Sequence, residues 1–135
     1  MRSWKHLTRR WTKRTEAYEI AVIPNLDKRD ADTYTREILA FLQENGAETL
    51  MHEKHRGQYE HVTFCKNHAA LAESCDLIVA VGGDGTIIHT AKHASVAGKP
   101  ILGVNLGRLG FLAGVEKDEL HKLKALLRAI TVCVA

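Results

Sequence analysis

Cysteine is scarce in this 135-residue chain. Cys65, Cys75 and Cys133 are widely spaced, odd in number and form no Cys-x-x-Cys pair. That argues against a disulfide framework and fits a reducing compartment, with core packing the default role for each thiol. No apolar run approaches the ~18 residues of a membrane span, and residues 1–14 hold no apolar stretch of the kind a secretory signal needs. The expected setting is cytoplasmic, without a membrane partner. No internal repeat or low-complexity segment is present. With 45% hydrophobic and 26% charged residues, the composition is that of an ordinary globular domain rather than a disordered or collagen-like chain. Its length suits one domain with a short tail, able to bury roughly two-thirds of its unfolded surface.

Acid is missing from the first 14 residues, which carry six of the 19 Lys and Arg. The remainder holds 13 basic and 16 acidic residues, so the net charge of +3 sits in the tail and the rest is mildly acidic. A nucleic-acid-binding domain carries its basic patch on the fold itself, so no nucleic-acid partner is expected. Trp4, Leu7 and Trp11 could share one helical face. A loose, solvated extension over residues 1–17 is nevertheless the simpler expectation.

Beyond the tail, short apolar runs alternate with amphipathic stretches. Glu19–Ile23 reads as a buried strand ending in a turn at Pro24-Asn25. A helix is predicted from a cap at Asp32 to about Asn45, with Tyr34, Ile38, Leu39, Phe41 and Leu42 at helical spacing and Gly46 at the left-handed exit. Ala47–Met51 reads as a strand, residues 52–64 as a polar loop, and Lys66–Ser74 as a short helix. Leu77–Val81 is the clearest buried strand. A helix follows over Thr86–Val96, then a strand over Ile101–Val104 and a glycine-rich connection over Asn105–Gly114. Glu116, Asp118 and Glu119 are expected at the start of a last helix with Leu120, Leu123, Leu126, Leu127 and Ile130 on its apolar face. This alternation predicts an α/β fold, a parallel sheet with helices on both faces. Ligands of such sheets bind at the carboxyl ends of strands.

One such end carries the segment Val81-Gly82-Gly83-Asp84-Gly85-Thr86. Glycines between a buried strand and a helix let a ligand approach the backbone closely. The amides that open the helix are orphan donors suited to phosphate. A carboxylate inside such a turn suits magnesium placement or proton abstraction from an attacking hydroxyl. A plain strand–helix turn is the alternative. Neither the Walker ending nor the Gly-x-Gly-x-x-Gly fingerprint is present.

With Thr86, this segment resembles the Gly-Gly-Asp-Gly-Thr signature of the superfamily of NAD kinases, diacylglycerol kinases and phosphofructokinases. Asn105-Leu106-Gly107-Arg108-Leu109-Gly110-Phe111-Leu112 resembles the second motif of NAD kinases, at a similar spacing from Asp84. Ile20–Asn25 is similar to that family's first strand and turn. The resemblance covers about residues 18–130 and implies the family's Rossmann-like, three-layer N-terminal α/β domain. The implied reaction moves the γ-phosphoryl group of ATP, or of polyphosphate, to the 2′-hydroxyl of the adenosine ribose of NAD, giving NADP, with Mg²⁺ as cofactor.

By the same resemblance, Asp84 would be the general base or metal organiser. Gly82, Gly83 and Gly85 would line the phosphate and ribose site, and Thr86 would cap the helix or touch phosphate. His89 would lie near the dinucleotide, and Asn105, Gly110 and Phe111 near the nucleotide, with Arg108 as a possible phosphate contact. The bland readings are a half-exposed helix histidine for His89, core packing for Phe111 and an exposed loop for Arg108. The family continues into a β-rich domain that grips NAD and carries most oligomer contacts. Residues 131–135 are expected to begin the connection to it, and weak or no activity is expected of these 135 residues alone. A non-catalytic nucleotide-binding module, or a lipid or sugar kinase of the superfamily, are the alternatives.

Histidine gives two further patterns. His89 and His93 stand at i, i+4, a zinc-compatible spacing, without the glutamate of zinc proteases and without a third ligand in view. His52, His55 and His61 form a loose cluster in the polar loop. Solvated histidines are the expectation for both, and no metal-ligating set is assigned from sequence.

Overall fold

The computed structural model describes residues 18–106 and 115–116. They build β1 (Glu19–Pro24), α1 (Ala31–Glu44), β2 (Glu48–His52), a 3-10 turn (Glu53–His55), β3 (Val62–Cys65), α2 (His68–Ser74), β4 (Leu77–Gly82), α3 (Asp84–Ala97), β5 (Ile101–Asn105) and β6 (Val115–Glu116). The strands form one sheet in the order β3-β2-β1-β4-β5-β6. Every pairing is parallel. The α/β expectation holds.

Alternation along the central strands divides the core into two layers. Ile20, Val22, Leu77, Val79, Val81 and Val104 pack with Ile38, Leu39, Phe41 and Leu42 of α1. Ala21, Ile23, Leu50 and Ile78 face the other way, onto Leu71 and Ala72 of α2 and Ala94 and Ala97 of α3. Strands covered on both faces read as continuous apolar runs, which is why β1 and β4 stand out in the sequence. Each large aliphatic side chain so buried contributes roughly 1.5–3 kcal/mol relative to exposure.

Several element boundaries differ from the sequence reading. Asp32 does not cap α1. The cap position belongs to Asp30, in left-handed backbone at φ 65° and with no side-chain capping bond. Asp32 instead accepts from the Tyr59 hydroxyl at 2.8 Å and from Arg36 Nε at 3.0 Å, and the Arg36 guanidinium lies 4.7 Å from the Tyr59 ring centroid. Those two hydrogen bonds hold the Asp32 carboxyl below its ordinary range. Burial, reinforced by Asp32, pushes the Tyr59 phenol up to about 12. The contact ties the segment after β2 to α1.

That segment is not a plain loop: it contains the 3-10 turn and the edge strand β3. Glu116 pairs in β6 rather than opening a helix. Helix α3 starts two residues earlier than expected, at Asp84. Gly46 takes the left-handed conformation expected of it, at φ 81°. Cys65 and Cys75 are free thiols, raised by burial, Cys75 to about 11. The tail at 1–17, the predicted last helix, Cys133, Arg108, Gly110 and Phe111 lie outside the described residues.

Candidate active site

Strands β1 and β4 are neighbours, but the chain leaves them toward opposite edges of the sheet. The strands stay paired to Pro24 and Val81, but the connections that follow them diverge and leave a crevice between them, the switch point of a doubly wound sheet. A cleft of about 540 Å³ opens there. Pro24, Asn25 and Lys28 line it from the β1 end, and Gly83, Asp84, Gly85, Thr86 and His89 from the β4 end. Lys54 and His68 close a third side.

The glycine turn is built as a tight hand-over from strand to helix. Gly82 is the last residue of β4, and Gly83 is the cap of α3 in extended backbone (φ −97°, ψ −174°). A Cβ on Gly82 would lie 2.8 Å from Thr86 Oγ1 and 2.9 Å from Thr86 Cβ, so only glycine lets the first turn of α3 fold back over the strand. Thr86 thus packs on the turn and does not cap the helix. A Cβ on Gly83 would meet the end of Lys28, with Nζ at 3.5 Å. At Gly85 it would meet nothing within 4 Å. The first amides of a 14-residue helix therefore open on the cleft, with the positive end of its dipole.

Asp84 is the only carboxylate among the described residues that line the cleft, and it faces a site with two lysines, Lys28 and Lys54. Such a balance suits a polyanion approached by one acid. The sequence reading missed both lysines, as well as Asn25 and His68. Asn25 carries an Asx turn, its Oδ1 accepting from Asp27 N at 3.1 Å, while its own amide donates to Val81 O at 2.8 Å. That pair of bonds fixes the β1 exit against β4 and aims the Lys28 loop at Gly83.

His68 lies under the cleft. Burial, then the charges of His52, Lys54, His93 and His89, lower it to about 4. Its ring meets those of His52, His93 and His89 with centroids 4.9, 5.3 and 5.9 Å away. His52, His55 and His61 do not gather as one group: His55 turns to Gln58 and Tyr59, and His61 is exposed. Asn105 is fully buried in β5, in register with Gly82, and is not among the cleft-lining residues. Of the residues read from the sequence, Gly83, Asp84, Gly85, Thr86 and His89 meet in one cleft and Gly82 supports it from beneath.

A doubly wound parallel sheet with a glycine-rich, carboxylate-bearing turn at its switch point defines a Rossmann-like α/β domain. Residues 20–131 match the family model described as the ATP-NAD kinase N-terminal domain, and the chain belongs to that family. It is 34% identical over 104 residues to the NAD kinase of Ruminiclostridium cellulolyticum, covering 77% of this chain and 36% of that protein. To the NAD kinase of Saccharophagus degradans it is 36% identical over 105 residues, covering 76% of this chain and 35% of that protein. A shorter stretch of 51 residues is 51% identical to NAD kinase 2 of Streptomyces avermitilis, 38% of this chain and 17% of that one. The chain thus spans about a third of the length of the first two relatives. A crystal structure of yeast NADH kinase complexed with NADH shares the fold, with a TM-score of 0.68 and 17% identity over 87% of this chain and 40% of that one. Among the described residues, no helix is long and apolar enough to cross a membrane.

Proposed function

We propose that this chain supplies the phosphate- and ribose-binding half of an NAD kinase site, and that the cleft at Gly82–Thr86 is where the phosphoryl group is transferred. The observation that carries this reading is the placement of Asp84 in a glycine turn, at a helix start and opposite Lys28 and Lys54. The amides of Gly85 and Thr86 and the two ammonium groups receive the phosphates of the bound nucleotides. Asp84 takes the proton of the adenosine ribose 2′-hydroxyl. The freed oxygen pair forms the bond to the γ-phosphorus of ATP, the bond from that phosphorus to its bridging oxygen breaks, and ADP leaves. His89, at the rim, contacts the dinucleotide. Asn105 holds Gly82 in register from the next strand, and Gly110 and Phe111 complete the nucleotide wall.

A magnesium ion fits this donor set, since Mg²⁺ is commonly held by one or two carboxylates together with substrate phosphates. Asp84 would hold it, and the ion would supply charge neutralisation at the transferring group. ATP or polyphosphate is the donor, the setting is cytoplasmic, and the whole enzyme is a homo-oligomer.

The reading is tested in a chimera in which residues 20–131 replace the matching segment of the Ruminiclostridium cellulolyticum NAD kinase. NADP formation from NAD, ATP and Mg²⁺ should be measurable, and Asp84→Asn should lower kcat at least ~100-fold, the usual scale of lost general-base catalysis. Equal activity of the two would overturn the role given to Asp84. A folded chimera that binds NAD yet transfers nothing would favour a non-catalytic binding module.

A further inference from the structure

His68, His89 and His93 bring one imidazole nitrogen each into a group whose members all lie within 4.8 Å of one another. His68 opens α2, while His89 and His93 sit one turn apart on α3. The ring of His93 is 5.3 Å from that of His68 and 5.2 Å from that of His89. His68 Nε2 is sealed from solvent with no hydrogen-bond partner among the described residues. Buried polar atoms are nearly always satisfied, so an orphaned imidazole nitrogen calls for a ligand.

The donors are all imidazole, and among the described residues no Asp or Glu belongs to the group. That set is wrong for magnesium or calcium, which require oxygen, and right for zinc and related first-row ions. Zinc–nitrogen bonds of about 2.0–2.1 Å place tetrahedral ligands roughly 3.3 Å apart. The ligand atoms stand within 4.8 Å of one another, and the rings that must close to that spacing are half-buried (His68, His93) or exposed (His89).

We propose that His68, His89 and His93 form a binding site for a divalent transition-metal ion, zinc foremost, fastening α2 to α3. Three protein ligands leave a fourth position for water or an incoming donor. His68 and His89 also line the cleft, so the ion lies at its wall, distinct from any magnesium held by Asp84. The sequence shows only the i, i+4 pair. The third ligand lies on a different helix and is supplied by the fold.

The test is titration of the untagged, metal-stripped 135-residue chain with Zn²⁺ against a chromophoric chelator, with Co²⁺ absorption as a geometric readout. One ion per chain should bind at micromolar or tighter affinity, unaffected by millimolar Mg²⁺, and Co²⁺ should give the intense visible bands of four-coordination. His68→Gln and His93→Gln should each weaken binding at least 10-fold, with circular dichroism checking the fold. His93→Cys, which keeps a ligand at that position, should retain binding. Undiminished binding in both glutamine variants, or no binding tighter than 100 micromolar in the parent chain, would overturn the site.

Discussion

Two glycines three residues apart answer to different physics. Gly82 is explained by the free chain, because a Cβ there would stand 2.8 Å from Thr86 Oγ1. Gly85 is not: it sits in the first turn of α3, its φ is ordinary, and a Cβ would meet nothing within 4 Å. Glycine inside a helix costs about 0.5–1 kcal/mol relative to alanine. A residue that weakens its helix and packs against nothing is best explained by what must come close to it. Gly85→Ala is therefore expected to raise stability by up to about 1 kcal/mol in urea denaturation, while weakening nucleotide binding several-fold by calorimetry. Opposite signs mark a ligand-approach position. A loss of stability, or unchanged binding, would mean that the glycine serves the turn alone.

At the scale of elements, legibility followed burial. β1, β4 and α3 were readable because both faces of the strands are covered and the glycines punctuate the join. β3 was not, because Val62–Cys65 is a four-residue edge strand whose residues are partly or fully exposed, leaving little apolar pattern to read. Asp32 looked like a cap by residue type, but Tyr59, 27 positions away, draws its carboxylate elsewhere. Asn25 and Lys28 after β1, Lys54 after β2 and His68 at the start of α2 belong to three separate segments, and only the strand order gathers them with Asp84.

Lys99 shows the same limit. It stands before a proline in the sequence, yet its buried ammonium donates to Ala72 O and Glu73 O, both at 3.0 Å, and to Cys75 O. It thereby satisfies the carbonyls at the end of α2 from the far end of α3, and its charge matches the negative end of that helix. Lys99→Ala should cost about 1–3 kcal/mol, seen as a lower urea midpoint at unchanged slope. A change under about 0.5 kcal/mol would show that water replaces the ammonium without penalty.

For the molecule as a whole, the parallel sheet places every strand's carboxyl end, and so both the glycine turn and the lysines, on one rim. The three histidines lie close by, where α2 and α3 meet. A second groove of about 320 Å³, lined by residues including Arg36, Gln58 and Tyr59, lies beside α1 on the opposite layer and serves as an internal control. The most direct measurement is a titration of the ¹⁵N-labelled chain with NAD and Mg²⁺, followed by amide correlation spectra. The account predicts saturable shifts centred on Asn25, Lys28, Lys54, Gly82–Thr86 and His89, and strongly reduced in Gly85→Ala. Shifts confined to the groove beside α1, or none along the Gly82–Thr86 turn at saturating NAD, would contradict it.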